Sequence, residues 1–206
     1  MRLCVFVSGR GSNLQAILES ELLKGKVRVE LVVSDKPECK AFEIAQKHKI
    51  NYVSVREIEK SGFVTYDQLR ARLEKEEIDL IILAGFLKKI PEQMSKRYEG
   101  KIINIHPALL PFFGGQGMYG MNVHTAVFNS GMKISGATVH FVNTEYDRGM
   151  IIAQKAADIS DAASPEEIAE KVLKIEHTLL PEVIHSMADN RVQIVNNRVY
   201  IIKNSN

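Results

Sequence analysis

Residues 3–15, LCVFVSGRGSNLQ, pass from an unbroken apolar run through a glycine-rich turn to the opening of a helix. A strand with no polar position has both faces covered, the condition of a central strand in a parallel sheet. Ser12-Asn13-Leu14-Gln15 has the form of a capping box, which predicts a helix over 13–24, ended by Gly25 after Lys24. Strand, tight turn and helix in that order make the first unit of an α/β fold.

Outward from this unit the alternation continues. VELVVSD (29–35) is a second apolar run, followed by a helix across 38–48, a brief strand at 52–55 and a helix over about 65–76. DLIILAG (79–85) is again apolar, and IINIH (102–106) follows a helical segment near 91–98. The style changes in GATVHFVNTEYDRGMIIAQKAADI, where two alternating runs flank a polar turn holding Asp147, Arg148 and Gly149, the pattern of an antiparallel hairpin. Ser164-Pro165-Glu166-Glu167 opens a long helix with apolar residues every three or four positions, which Pro181 is expected to kink. RVQIVNNRVYII closes the chain as a small hairpin around Asn196-Asn197. The fold predicted is α/β: an open, mostly parallel Rossmann-like sheet flanked by helices on both faces, with an antiparallel hairpin and a long C-terminal helix. It is read as one domain over 1–206, with a nucleotide-phosphate half at 1–106 and a second half at 107–206.

Composition narrows the function. With 27 basic and 25 acidic side chains the formal charge is +2, too balanced to imply nucleic acid as the main partner. Cys4 and Cys39 form no CxxC and belong to no ligand cluster, so neither a disulfide scaffold nor a metal is expected. The opening apolar run is too short for a signal peptide and no run reaches the roughly 20 residues of a membrane span. A cytoplasmic protein with no membrane partner is the expectation.

Three places carry candidate chemistry. SGRGSN (8–13) lies between the first strand and the first helix, where free amides and the helix dipole favour an anion such as phosphate. A dinucleotide fingerprint would need a third glycine at position 14, where this chain has Leu14, although Asp35 stands about where a ribose-binding acid would. On the bland reading, Ser12 caps the helix and the glycines make the turn. The second place is the end of IINIH. Alternation along the strand sends Asn104 and His106 to one face and Ile103 and Ile105 to the other, and a fixed amide beside an imidazole suits stabilisation of an oxyanion. The alternative is that both satisfy loop backbone. The third is Asp147, which either caps its turn or orients an imidazole across a cleft. His140, in an alternating strand, reads as structural. Glu176 and His177, in the last helix, read as a solvated face.

With these residues in view, the chain resembles the glycinamide ribonucleotide formyltransferase family over essentially its whole length. The carrying segments are VFVSGRGSNLQAI, LVVSDKP, IILAGFLKKI, INIHPALLP, SGATVHFVNTEYDRGMII and KIEHTLLP, in the family's order. The resemblance implies transfer of a formyl group from the co-substrate 10-formyltetrahydrofolate to the amine of glycinamide ribonucleotide, a step of purine biosynthesis, without a metal. By that likeness Asn104, His106 and Asp147 match the catalytic trio, and Gly11, Ser12 and Asn13 match the ribonucleotide phosphate site. Leu87, Lys88, Lys89 and Ile90 match the backbone-lined folate wall. Val142, Asn143, Thr144, Glu145 and Tyr146, with Asn104, match the rest of the folate site, and Glu176 an acid on the amine side. Asp147 is expected to raise the pKa of His106 and favour its imidazolium. A monomer or homodimer is expected.

Departures from the family pattern are Lys88 for a common arginine, Phe63 where some members place a folate-contacting arginine, Met150 for a frequent proline and Asn143 for a frequent aspartate. After Pro111 the chain inserts about five residues in FFGGQGMYGMNVH, which has four glycines. This segment reads either as a cover over the folate or as a subunit contact, given Met118, Tyr119 and Met121. Methionyl-tRNA formyltransferase and formyltetrahydrofolate deformylase resemble the same core but carry additional domains for which 206 residues leave no room.

Overall fold

The computed structural model describes residues 1–203. The chain runs β1 (Arg2–Val7), α1 (Ser12–Glu19), β2 (Arg28–Ser34), α2 (Ala41–Lys47), β3 (Asn51–Arg56) and β4 (Val64–Thr65). It continues through α3 (Tyr66–Lys75), β5 (Leu80–Leu83), α4 (Glu92–Arg97), β6 (Ile102–His106), α5 (Met121–Asn129) and β7 (Ile134–Phe141). β8 (Ile151–Asp158), α6 (Pro165–Ala188), β9 (Val192–Val195) and β10 (Arg198–Ile201) complete it. Eight strands form one sheet in the order β4-β3-β2-β1-β5-β6-β7-β8. Pairing is parallel from β4 to β6 and antiparallel from β6 to β8. Strand order reverses between β1 and β5, so the loops leaving those two strands part to opposite sides and open a crevice.

Alternation along each strand divides the core in two. Leu3, Val5, Val7, Val32, Ile82, Ile103 and Ile105 pack with Leu14, Ile17, Val123, Val172 and Val183 of α1, α5 and α6. Cys4, Phe6, Leu31, Val33, Ile81 and Ile102 pack on the other face with Leu69, Leu73 and Met94 of α3 and α4. Because the sheet is covered on both sides, its central strands are apolar throughout, as expected of LCVFV and DLIILAG. Among the described residues no helix is long and apolar enough to cross a membrane.

Two local expectations fail. The first helix ends at Glu19, because Ser20 is extended, and a 3-10 turn over Glu21–Leu23 follows. Its N-cap is Gly11, in the left-handed region at φ 79°, with no side-chain cap; the Gln15 amide bonds the Gly11 carbonyl at 2.9 Å and its side chain turns to Glu19. A capping box does form at α3, where Thr65 Oγ1 accepts from the Gln68 amide (3.2 Å) and Gln68 Oε1 from the Thr65 amide (2.8 Å). Pro181 lies inside α6, which runs 24 residues from an N-cap at Ser164. The closing hairpin turns at Asn196 and Asn197, both at positive φ, which asparagine tolerates.

Candidate active site

A cleft of about 590 Å³ occupies the crevice at the carboxyl ends of β1, β5 and β6. It gathers Gly11, Ser12 and Asn13 at one end, Leu87 to Ile90 along one wall, and Asn104, His106, Val142, Asn143, Glu145, Tyr146 and Asp147 at the other, with Glu176 reaching in from α6. Of the residues matched to the catalytic, phosphate, folate and amine positions, Thr144 alone is not in the lining.

The β1–α1 end is main chain. Residues 12 to 14 lead α1, so their amides have no partner inside the helix. Gly11 turns the chain into the helix while pressed on α2: a Cβ there would lie 2.7 Å from the Ala41 Cβ and 3.2 Å from its Cα. Leu14, where a dinucleotide fingerprint needs glycine, is fully buried in the core. Asn13 Nδ2 donates to Glu176 Oε2 at 2.7 Å, and Asn13 Oδ1 is buried without a partner. Glu176 is not on a solvated face: it is 8% exposed, and burial pushes its pKa up to about 7 against the opposing Asn13 bond.

The β6–β7 corner is made of side chains. Antiparallel register sets Asn104 opposite His140 and His106 opposite Thr138. Asp147, at φ 53° in the β7–β8 connection, points back at them, its Oδ2 3.6 Å from His106 Nδ1 and its Oδ1 3.5 Å from Asn104 Nδ2 and from His140 Nε2. The connection passes so close to β7 that a Cβ on Gly149 would lie 1.7 Å from the Phe141 carbonyl oxygen. Glycine at 149 is therefore what lets Asp147 approach. His140 Nδ1 is 2.7 Å from the Phe141 carbonyl, so it carries a proton, and Nε2 lies 3.0 Å from Asn104 Nδ2, which it helps to orient.

The glycine-rich insertion completes this corner. The Phe113 carbonyl accepts from His106 Nε2 at 2.8 Å, and the Gly115 amide donates to Asp147 Oδ2 at 2.8 Å. Between them, Gly114 has no room for a side chain, since a Cβ would meet Leu110 Cδ2 at 2.5 Å and Asp147 Cβ at 3.1 Å. Phe113 and Met118 pack on the core, Tyr119 is exposed, and the segment's last residues begin α5.

Both ring nitrogens of His106 face acceptors, which favours the imidazolium. Burial, the largest influence at this 3% exposed ring, works the other way and leaves its pKa below the ordinary histidine value despite Asp147 and Phe113. Asp147 acts in the expected direction, and burial reverses the net shift. At Asp147 burial is again the largest single influence and opposes the carboxylate. The His140 and His106 rings and the Gly115 amide together outweigh it and hold the pKa below the ordinary range.

His140, His124 and the two backbone groups of the insertion are site features that sequence reasoning missed. His140 was legible only through the pairing of β6 with β7. His124, on α5, lines the cleft with Nδ1 buried and unpartnered, and burial, then His106, push its pKa down to about 4. Phe63 lies outside the lining, with the Arg56 guanidinium 4.4 Å over its ring. Lys89 Nζ sits 5.6 Å over the Tyr146 ring, both residues lining the cleft. Among the described residues no group of three His, Cys, Asp or Glu side chains is placed to hold a metal ion.

The α1 N-terminus and the Asn-His-Asp corner line one crevice of a doubly wound sheet, and residues 1–184 match the Formyl transferase family, a class of group-transfer enzymes. A chloroplastic phosphoribosylglycinamide formyltransferase of Arabidopsis thaliana is 41% identical over 98% of this chain and 70% of its own length. The Bacillus subtilis phosphoribosylglycinamide formyltransferase is 36% identical over 90% of this chain and 94% of its own. The crystal structure of phosphoribosylglycinamide formyltransferase from Anaplasma phagocytophilum superposes with a TM-score of 0.88 at 30% identity, covering all of this chain and 96% of that one. The chain belongs to the phosphoribosylglycinamide formyltransferase family, a family of purine-biosynthetic formyltransferases.

Proposed function

We propose that the chain transfers the formyl group of 10-formyltetrahydrofolate to the amine of glycinamide ribonucleotide, giving the N-formyl product and tetrahydrofolate. The observation that carries the reading is the convergence of Asn104 and His106 on Asp147, at 3.5 and 3.6 Å, in the cleft that the α1 N-terminus also lines. The ribonucleotide phosphate is held by the amides of Ser12, Asn13 and their neighbours at the turn set by Gly11, and Glu176 receives the glycinamide amine. The folate lies along the main chain of Leu87, Lys88, Lys89 and Ile90, its pterin at the 142–146 loop, where Lys89 and Tyr146 close the side.

The amine nitrogen attacks the formyl carbon, the carbonyl π pair moves to oxygen, and the tetrahedral alkoxide collapses with cleavage of the bond to folate N10. With substrate bound, the alkoxide takes the place of the Phe113 carbonyl at His106 Nε2, and Asn104 Nδ2, aimed by His140, turns its second hydrogen from Asp147 to the same oxygen, each donor contributing roughly 3 kcal/mol. A ring that burial keeps neutral at the start is suited to this role. As negative charge appears on the formyl oxygen, alkoxide and Asp147 flank the ring, and their combined field lets the His106–Asp147 pair hold the proton released by the attacking amine until it reaches N10. The amine proton passes to N10 by way of Asp147 and water. Holding both substrates in one crevice supplies further acceleration through positioning. Two buried free thiols, Cys4 and Cys39, support a reducing compartment such as the cytosol.

The test is consumption of 10-formyltetrahydrofolate with and without glycinamide ribonucleotide. A transferase consumes the donor only when both are present. Consumption without the ribonucleotide would make the protein a deformylase, and no consumption in either case would leave a nucleotide-binding regulator.

A further inference from the structure

Asp35, at the end of β2, stands where a dinucleotide-binding fold would hold a ribose, yet its carboxylate is directed elsewhere. Ser8 Oγ donates to Asp35 Oδ1 at 2.5 Å and accepts from the Leu87 amide at 2.9 Å. The Ser8 amide in turn donates to the Gly85 carbonyl at 3.1 Å. Ser8 is 3% exposed and is the first residue after β1, at the switch point between β1 and β5. One side chain therefore joins the strand that leads into the Gly9–Asn13 turn to the loop that lines the opposite wall of the cleft. We infer that Ser8, oriented by Asp35, is a positioning residue for the formyl-donor wall, fixing the main chain at Leu87 against the β1–α1 turn. This rests on the proposed function, in which that wall receives the folate.

A hydroxyl has one proton. While Asp35 takes it, the oxygen's lone pairs are left for the Leu87 N–H, so the carboxylate sets the polarity of the whole relay. Asp35 is itself held by its corner: the Lys36 amide donates to Ser34 Oγ at 3.1 Å and Ser54 Oγ donates to the Lys36 carbonyl at 3.3 Å. On the far side Phe86 packs edge-on against Phe6 at 5.2 Å, which anchors the residue before Leu87 independently of Ser8. Loss of the hydroxyl thus frees the Leu87 amide and the donor-lining residues after it, while the hydrophobic anchor and the α1 N-terminus stay in place.

The experiment is a set of three variants, Ser8→Ala, Asp35→Ala and the double variant, read by steady-state kinetics in each substrate and by direct titration of tetrahydrofolate. The expected result is a KM for the formyl donor and a Kd for tetrahydrofolate raised roughly tenfold in each, the scale of a buried amide left without its acceptor. The KM for the ribonucleotide stays within about twofold, and the double variant is no worse than Ser8→Ala, because both changes cut one relay. Unchanged tetrahydrofolate affinity, equal rises in both Michaelis constants, or additive losses would overturn the inference. If Ser8→Ala does not fold, Asp35→Ala, altered at a partly exposed side chain, decides by the same split. Failure of the wild-type chain to consume the donor would overturn the functional reading instead.

Discussion

At the β1–α1 turn the cleft is walled by main chain, and its critical residue, Gly11, matters for the side chain it lacks. At the β6–β7 corner it is walled by side chains whose protonation is decided by burial and by one another. The first arrangement is a fixed field: helix amides point at an anion whatever the pH, with a strength set by geometry. The second is responsive. His106 and Asp147 sit close enough that charge appearing on a substrate oxygen alters what each prefers to hold. The difference teaches that binding and chemistry are placed on separate structural materials within one crevice, and that each end can be damaged without the other.

The largest break is expected at the corner. His106→Ala should lower kcat by about a thousandfold, equivalent to about 4 kcal/mol of transition-state stabilisation, with ribonucleotide affinity by titration within about twofold of wild type. Next comes Glu176, which sharpens the comparison because it is a titratable group at the main-chain end. Its folded pKa is raised, so its contribution to stability is full below the ordinary carboxylate range and is lost as pH rises through about 7. Glu176→Gln should therefore be more stable than wild type at pH 8, by about 3 kcal/mol from a shift of roughly 2.5 units, and equal to it near pH 4; chemical denaturation across that range reads the crossover. Gly11→Ala, strained at positive φ and blocked by Ala41, should raise the ribonucleotide KM roughly tenfold, a few kcal/mol of strain being shared between fold and site, with kcat at saturation nearly kept. The smallest effect is expected at Gly114→Ala. Displacing the Gly115 amide from Asp147 raises that carboxyl's pKa, so kcat should fall by about fivefold, the scale of one hydrogen bond, and the acid limb of its pH profile should move to higher pH.

The same contrast explains what the sequence could reveal. LCVFV and DLIILAG announce a doubly covered sheet because burial on both faces leaves no polar position, and Gly9-Arg10-Gly11 announces a turn because main-chain geometry demands glycine. Asn104 and His106 were legible together from strand alternation alone. Ser12 misled, since an N-cap side chain and a first-turn side chain look alike in sequence; here Gly11 takes the cap. His140 was hidden, and Glu176 was marked only by the family resemblance, for a different reason. Their roles depend on register between β6 and β7 and on which face of α6 meets α1, long-range facts that local patterning does not encode. The insertion after Pro111 acts through carbonyl and amide groups, which every residue possesses, so nothing in its letters except the room left at Gly114 marks its place beside His106 and Asp147.

The division of labour is tested most directly by measuring single-turnover formyl transfer and ribonucleotide binding side by side in Asp147→Asn and Gly11→Ala. The account requires opposite failures: transfer slowed by orders of magnitude with binding intact in the first, and binding weakened with transfer at saturation nearly intact in the second. Two variants that lose both properties together, or an Asp147→Asn chain that transfers at close to the wild-type rate, would contradict it.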